Sequence, residues 1–466
     1  MLRSRSILAV VVLAALPADG ADLKIGAAQV DITPPTGIPM AGYYYVRPAE
    51  SIHDPLFAKA LVLDDGQTRA ALVALDLIAT SFDLVHDART EIEAATGIPA
   101  DHVMISATHA HTGPVIGNQA ASGGFGGNHE LARRYRADLP AKIAQAVQQA
   151  DANRAPARCR AAHGSEPSIA FNRRFHMADG SVGWNPGKLN PAILKPAGTI
   201  DPDVPVLVFD SADPSRKPLA TYVNYAVHLD NVGGTAISAD LPGVLARLLS
   251  DVKGADMITL WTAGCCGDIN HIDVTWPEPQ HGHANAARMG IILAAEVLRT
   301  WPRLAEVQPG PLRVRREVVS LDLPEVSSEQ IENARAIVAR SHDTAAPQPA
   351  FLELVDAYKI LDVAERDGRP WTVEVQVIAL GDSVAWVSLP GEIFVELGLE
   401  IKQDSPFPHT IIAELANGSI GYIPSRRAYN QGNYEVVSAR CAAGSGERLV
   451  DAATRILKEL HRQASR

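Results

Sequence analysis

The sequence predicts an α/β protein with a mixed β-sheet core flanked by α-helices. Short apolar runs alternate along the chain with longer amphipathic segments, and Gly, Pro, Asp and Asn separate them. The composition, 47% hydrophobic and 20% charged, is that of an ordinary globular protein with a sizeable core. Since no internal repeat, low-complexity linker or block of charge divides the chain, we expect one large domain over residues 22–466.

Each predicted element in the first part of the chain rests on a local pattern. The Asp-Asp-Gly turn at 64–66 separates two apolar runs, and Gly97 and Pro99 end the first amphipathic segment. Residues 117–128, rich in Gly, Ala and Asn, predict a mobile surface loop. We predict strands at 25–32, 56–63, 70–78, 102–105 and 157–162, and helices at 83–95 and 131–150.

The rest of the chain continues the same alternation. Gly381-Asp382-Ser383 between two apolar runs is typical of a hairpin turn, and Asp240 is placed to cap a helix. We predict strands at 221–228, 257–261, 371–389 (two, around the hairpin) and 409–414, helices after Asp240 and at 281–301, 393–402 and 447–462, and one strand and two helices within 310–370.

The first 21 residues predict an export signal. Two arginines precede the apolar run 7–16, which is too short to span a bilayer, and small residues follow it at 18–21. We therefore expect a protein that is periplasmic or secreted after cleavage. No later stretch of the sequence is long and apolar enough to predict a membrane span.

Net charge and cysteine content exclude some classes of protein. A net charge of −11 argues against nucleic acid or an anionic membrane surface as a partner. Four cysteines, Cys159, Cys265, Cys266 and Cys441, are too few for a disulfide scaffold. Export would permit one or two disulfides, whose pairing the sequence does not determine, although a bond between the adjacent Cys265 and Cys266 would be strained.

The stretch 106–114, Ser-Ala-Thr-His-Ala-His-Thr-Gly-Pro, is the first candidate for chemistry. It follows a buried strand, and in an extended segment His109 and His111 would point to the same side. Two imidazoles on one face suit a metal ion, or a metal ligand beside a general acid/base. A pair of structural histidines joined by hydrogen bonds would give the same pattern, so this motif alone leaves both interpretations open.

Three later segments add candidate residues. The predicted strand 221–228 ends in His228, and a Gly-rich turn at 264–270 follows another buried strand. Glu392 comes directly after a strand and before a helix, where a carboxylate can bind a ligand or simply stabilise the helix N-terminus.

Together these segments resemble the catalytic domain of the neutral ceramidases, zinc-dependent amidases that split ceramide. The likeness begins at 26–33 with 40–43 and extends to about Tyr434. Its most specific parts are 108–114, the family's THTHSGP, and 389–392, which contains its PGE. The resemblance implies the family's α/β fold, a zinc cofactor, and a small-molecule or lipid substrate. The family's C-terminal immunoglobulin-like domain is expected to have no counterpart in this chain.

Residue by residue, the resemblance implies a set of ligands and a proton carrier. The zinc ligands fall on His109, His228, Glu392 and Tyr422, of which the tyrosine is unusual. Two imidazoles and a carboxylate with an open position describe a catalytic zinc site. His111 falls on the family's acid/base histidine.

The remaining implied site residues include one departure from the family. Tyr434 falls on the second active-site tyrosine and Arg173 on a substrate-contacting arginine. Where ceramidases have Gly-Asp-Val-Ser-Pro, residues 267–271 are Gly-Asp-Ile-Asn-His, so Asn270 replaces the serine. We expect Asn270 and the neighbouring Asp268 to contact substrate, with attack by a zinc-activated water and altered specificity.

The expected activity is therefore hydrolysis of an N-acyl bond in ceramide or another N-acyl substrate. Two alternatives stay open. One is a zinc hydrolase of an ester, lactone or acylated sugar, and the other is a secreted binding protein that has kept the fold and lost catalysis.

Overall fold

The structure is a computed structural model that describes residues 23–45, 47–116, 129–343 and 345–464. The predicted export signal at 1–21 and the predicted loop at 117–128 lie outside the described residues.

The strands of the described chain range from two-residue pairings to long core strands of up to 11 residues. In chain order they are β1 (Lys24–Asp31), β2 (Ser51–Ile52), β3 (Phe57–Asp64), β4 (Arg69–Leu75), β5 (Val103–Ala107), β6 (Ala155–Ser165), β7 (Phe171–Asn172), β8 (Arg174–Met177), β9 (Val182–Trp184), β10 (Ile193–Pro196), β11 (Asp203–Ser211), β12 (Pro218–Tyr225), β13 (Ala236–Ile237), β14 (Ile258–Ala263), β15 (Ile269–Asn270), β16 (Ala305–Glu306), β17 (Leu312–Leu321), β18 (Trp371–Leu380), β19 (Val384–Ser388), β20 (Glu392–Ile393), β21 (His409–Ala413) and β22 (Tyr422–Ile423).

The helices lie between these strands, and most are amphipathic. They are α1 (Phe82–Thr96), α2 (His129–Ala152), α3 (Asp240–Lys253), α4 (His283–Thr300), α5 (Ser328–His342), α6 (Phe351–Ala364), α7 (Val395–Asp404), α8 (Arg426–Tyr429), α9 (Tyr434–Ser438) and α10 (Ser445–Ala464), with short 3₁₀ turns at Ala100–His102 and Trp301–Arg303. None of the helices in the described ranges has the length and apolar character needed to cross a membrane.

The core is built from one large mixed sheet and one smaller mixed sheet. The large sheet has the order β14-β12-β11-β6-β1-β3-β4-β5, with β16 also paired to β6. Its outermost pairs, β4 with β5 and β12 with β14, are parallel, and the pairs between them are antiparallel. The smaller sheet has the order β17-β18-β19-β21, in which β19 and β21 are parallel. The predicted fold class is confirmed.

The large sheet consists of two halves that face each other. They are joined where Lys24 and Ile25 pair with β6, and β14 lies against β3, β4 and β5 across the interior. The smaller sheet contributes to the same apolar core, in which Tyr222 of one half packs edge-on against Trp386 of the smaller sheet. Strand ends that are far apart in the sheet order are therefore close in space.

Helices cover the outer face of each sheet. The pair α1 and α2 covers β1, β3, β4 and β5, the pair α3 and α4 covers β11, β12 and β14, and α7 and α10 cover the smaller sheet. Both faces are thus buried, which explains the continuous apolar runs in the sequence. In β3, for example, Ala60 and Val62 face the helices, whereas Leu61 and Leu63 face the central core.

The predicted elements match the observed ones closely, but strand β11 in the large sheet was not predicted, the strand predicted at 70–78 ends at Leu75, and two more differences follow. The strand predicted at 221–228 ends at Tyr225, whose carbonyl makes the last bond to the neighbouring strand by accepting the N–H of Gly264. The chain then leaves the sheet and delivers His228 beyond its end. Helix α3 begins at Asp240 itself with Ala239 in the capping position, so the predicted cap is one residue out. All four cysteines are buried free thiols.

Candidate metal centre

The candidate site lies where the ends of several strands meet. Backbone hydrogen bonds join these ends: the N–H of Ala107, which ends β5, donates to the carbonyl of Leu415 at 3.2 Å, and the N–H of Glu414 donates to that of Ala263, which ends β14, at 3.1 Å. The short strands β20 and β22 pair in parallel, which places Glu392 opposite Tyr422. Residues from four distant parts of the chain converge as a result.

His109 and His111 meet in a way that the sequence did not predict. The strand ends at Ala107, and His109 has a positive φ of 72°, so the segment is a turn and the predicted extended geometry is wrong. Hydrogen bonds to the rest of the fold fix the turn, because the N–H groups of His109 and His111 donate to the carbonyls of Leu77 and Leu229. A positive φ at a non-glycine residue is unfavourable, and these contacts stabilise it. The two Nε2 atoms are 3.4 Å apart.

The donor atoms of the centre lie within a few ångströms of one another. His109 Nε2 is 2.9 Å from His228 Nε2, and Glu392 Oε2 is 3.5 Å and 3.3 Å from these two nitrogens respectively. The hydroxyl of Tyr422 is 3.3 Å from His228 Nε2. Among the described residues, His109, His111 and His228 form a group that could hold a metal ion.

The outer nitrogens of two imidazoles are already engaged. His109 Nδ1 is 2.8 Å from the carbonyl of Ile78, and His228 Nδ1 is 2.9 Å from that of Cys266. Because a carbonyl only accepts, each Nδ1 carries the proton and each Nε2 presents its lone pair to the centre. This arrangement is typical of metal-binding histidines. His111 differs, since its buried Nδ1 has no hydrogen-bond partner among the described residues.

Electrostatics also favour a positive charge at this point. Buried Glu392 Oε2 accepts no hydrogen bond from the described residues and faces the two Nε2 atoms. Burial would raise the pKa of Glu392, but the charge of His109 holds it well below its usual range. Burial, with the nearby Arg173, lowers the pKa of His228 to about 4, so that imidazole is neutral at pH 7. Burial would lower the pKa of His109, but the carboxylate of Glu392 in turn raises it, so a metal ion would replace the proton that these two groups share. Two imidazoles and a carboxylate form a donor set that fits Zn²⁺.

Arg173 and Tyr434 lie next to the donor atoms. Arg173 is buried, and its guanidinium donates to the hydroxyl of Tyr422 at 3.1 Å and to the carbonyl of Gly267 at 2.7 Å. The rings of Tyr422 and Tyr434 are 5.4 Å apart, and the guanidinium carbon of Arg173 is 5.4 Å and 5.8 Å from their centroids. The structure thus brings both residues to the site, beside Tyr422.

Two buried glutamates that the sequence did not identify as site residues support this arrangement. Glu435 accepts hydrogen bonds from Arg173 at 2.8 Å and from Arg174 at 2.7 Å. Glu414 accepts the N–H groups of Ile393 at 2.8 Å and Cys266 at 3.1 Å, and burial raises its pKa to about 8. It thereby links the segment that carries Glu392 to the turn whose carbonyl orients His228. The only sequence signal for Glu414 was a carboxylate at the end of an apolar strand.

A cleft of about 790 Å³ opens onto this centre. His109, His111, Glu392, Tyr422 and Tyr434 line its inner end. Its outer end lies between the Tyr-rich loop at 43–44 and the segment that follows α6. The centre is therefore accessible to a substrate from the side of this cleft.

Two solved structures have a fold similar to that of this chain. Neutral ceramidase from Pseudomonas aeruginosa superposes with a TM-score of 0.73 at 19% sequence identity, covering 95% of this chain and 75% of that one. A ceramidase complexed with C2 gives a TM-score of 0.73 at 18% identity, covering 94% of this chain and 76% of that one. The chain shares the neutral ceramidase fold. No family model and no curated protein matches the sequence.

This likeness confirms the resemblance that the motifs indicated. At this level of identity it concerns the ceramidase fold, and the chemistry of the site rests on the side chains described above. The predicted metal-site residues that the structure brings together are His109, His228, Glu392 and Tyr422, with His111 beside them.

Asn270 and Asp268, which were predicted to contact substrate, form hydrogen bonds with other residues of this chain. The amide of Asn270 donates to Asn185 at 3.0 Å and accepts the N–H of Ile272 at 3.0 Å. The carboxylate of Asp268 accepts the N–H of Val395 at the start of α7, as a helix cap does. Neither residue lines the cleft described above.

Proposed function

We propose that the protein is a zinc-dependent hydrolase that cleaves an N-acyl bond. One observation carries the proposal: His109 Nε2, His228 Nε2 and Glu392 Oε2 lie within 3.5 Å of one another, and the Nδ1 of each imidazole is already engaged by a backbone carbonyl. Zinc ligands of this kind, held by carbonyl partners at the opposite nitrogen, are common in catalytic sites. The resemblance of the motifs and the ceramidase fold support the same activity.

His109, His228 and Glu392 would hold the ion, and Tyr422 would complete the set. When bound, zinc supplies the Lewis acidity that activates water and polarises an acyl carbonyl. Arg173 donates to the hydroxyl of Tyr422 and fixes its direction, so it acts on the centre through that residue as well as through its charge.

The side chains around the centre would move the protons. His111 Nε2 is 3.4 Å from His109 Nε2, which places it to accept a proton from the attacking water. It would return that proton to the leaving nitrogen, a role that typically contributes about 10²–10⁴-fold in rate. Tyr434, in the cleft wall beside Tyr422, would donate to the developing oxyanion. Export, as the N-terminal sequence predicts, would place this activity outside the cytoplasm.

Metal analysis and a substrate panel test the proposal. The purified protein should contain about one zinc per chain, and His228→Ala should remove the ion. His86→Ala, which changes an exposed histidine on α1, is the matched control and should keep it. The zinc-loaded protein should hydrolyse at least one N-acyl amide, lose that activity with a chelator and regain it with Zn²⁺. A His228→Ala protein with stoichiometric zinc would contradict the assignment.

A further inference from the structure

The outer part of the cleft differs in character from a lipid-binding pocket. Among the described residues that line it, the aliphatic side chains are Ile78, Pro370 and Ile420, whereas the others are largely aromatic, charged or hydroxyl-bearing. An alkyl chain gains free energy from burial only where apolar groups receive it. It would also cover charged groups without offering them a hydrogen bond, which is unfavourable.

Aromatic side chains form much of the cleft wall, namely Tyr43, Tyr44, Tyr358, Trp371, Tyr422 and Tyr434. Aromatic residues make up only 5% of the chain, so their concentration at this wall is unusual. Tyr44 stacks on Tyr358 at 6.1 Å and meets Phe351 edge-on at 5.7 Å, and Phe351 stacks on Tyr434 at 5.6 Å. Trp184 packs on Tyr434 at 4.4 Å from behind. Phe351 and Trp184 do not line the cleft themselves but support Tyr44 and Tyr434, which offer ring surface to a ligand with flat apolar faces.

Charged side chains of both signs also line the cleft. Arg440 donates to Asp362 at 2.6 Å, and the two neutralise each other. Arg366 stacks on Trp371 at 3.6 Å and donates to backbone carbonyls, and Arg369 likewise bonds to a carbonyl. Within the described chain neither Arg366 nor Arg369 forms an ion pair, and the cleft also contains the carboxylate of Glu365.

This mixture discriminates between kinds of ligand. Among the described residues, three guanidinium groups and three carboxylates leave the cleft lining without net charge, so neither a cationic nor an anionic ligand gains overall from it. A neutral ligand with many hydroxyls can accept from the guanidinium groups and donate to the carboxylates. A sugar ring combines such hydroxyls at its edge with C–H faces that pack against aromatic rings.

We propose that the substrate is an N-acylated amino sugar, held by its rings in this cleft with its acyl group at the metal centre. The proposal rests on the proposed function and names its substrate class. In the reaction, water would add its oxygen to the acyl carbon and the C–N bond would break. The nitrogen would take the proton through His111, which gives a carboxylate and a free amino sugar.

A binding measurement tests the proposal independently of catalysis. An oligomer of N-acetylglucosamine, added to the zinc-free protein, should change the fluorescence of Trp371 and Trp184 in a saturable way. Tyr44→Ala and Arg366→Gln should each weaken that binding by about tenfold. Arg247→Gln, an exposed arginine on α3, is the matched control and should leave it unchanged. Absence of saturable binding would overturn the proposal, whatever the protein hydrolyses.

Kinetics of the zinc-loaded protein separate this proposal from the proposed function. Wild-type kcat/KM should be at least tenfold higher for the N-acetylglucosamine oligomer than for a short-chain ceramide. Tyr44→Ala and Arg366→Gln should lower it for the oligomer, mainly through KM. The control variant Arg247→Gln should leave the hydrolysis of both the oligomer and 4-nitroacetanilide unchanged. A preference for ceramide would overturn the sugar assignment and leave the hydrolase standing, whereas failure with every amide would refute the hydrolase itself.

Discussion

Glu435 is the residue whose loss should affect stability most clearly. It is fully buried at the start of α9 and accepts hydrogen bonds from Arg173 and Arg174, whose side chains are 3% and 2% exposed. Glu435→Ala would leave two buried guanidinium groups without a carboxylate among the described residues. Removing one partner of a buried ion pair typically costs about 3–5 kcal/mol of the free energy of unfolding.

The surrounding contacts place the expected loss near the lower end of that range, at about 3 kcal/mol. Both arginines keep other acceptors, since Arg173 still donates to the Gly267 carbonyl and Arg174 to the Gly432 carbonyl. Glu435→Gln keeps an acceptor and should lose less. Glu317→Ala, which breaks an exposed pair with Arg455, is the control and should cost about 1 kcal/mol or less.

Urea denaturation followed by fluorescence measures these differences as shifts of the unfolding midpoint. We expect the midpoint to fall in the order wild type, Glu317→Ala, Glu435→Gln, Glu435→Ala. If Glu435→Ala were no less stable than Glu317→Ala, the buried ion pairs would contribute little and the reasoning would be refuted.

Three further predictions concern the metal centre and the pH dependence of stability. His109→Ala should lose the bound zinc, whereas His111→Ala should keep it and slow turnover by about 10²–10⁴-fold. Mass spectrometry measures the zinc content of each variant, and steady-state kinetics measure its turnover. Loss of zinc from His111→Ala would make His111 a ligand. Glu414→Ala should weaken zinc binding by about 10–100-fold in a chelator competition, because Glu414 holds the segment of Ile393, which carries Glu392, and the turn of Cys266, which orients His228. Glu414→Gln should bind zinc with an affinity closer to that of the wild type. Burial would raise the pKa of Asp203, but the hydrogen bond with His163 and the ammonium of Lys402 lower this pKa below its value in the unfolded chain. The stability that ionised Asp203 contributes is therefore present above about pH 4 and is lost as the pH falls further. Asp203→Asn should flatten the acid side of a plot of Tm against pH. An acid side that stays unchanged in this variant would exclude Asp203 as the group responsible.

Local sequence patterns were sufficient to predict most elements of the fold. The strand predicted at 56–63 is β3 at Phe57–Asp64, and the helix predicted at 83–95 is α1, which Gly97 ends with a φ of 69°. Such elements are recognisable because apolar periodicity and turn residues are local properties. The division of the strands between two sheets was not predictable, since it depends on pairings between distant segments such as Val384 with His409.

The site was predictable in its residue types but not in its geometry. The turn at His109 depends on carbonyls of Leu77 and Leu229, and these contacts leave no pattern near residue 109. The carbonyls that orient the imidazoles, from Ile78 and Cys266, are backbone groups that any residue could supply. Sequence motifs therefore identify side chains with a chemical role more readily than the groups that hold them in place.

The metal centre and the substrate-binding wall are built from different parts of the chain. The donor atoms come from segments at the strand ends of the shared fold, whereas the outer cleft comes from the loop at 43–44 and the segment 358–372. Residues 358–370 can change without moving those strand ends, because α6 packs mainly against α5 and α9. A chain that shares the ceramidase fold at 19% identity can thus have an outer cleft of its own. We therefore expect the side chains that line this outer cleft, and not the shared fold, to determine the substrate.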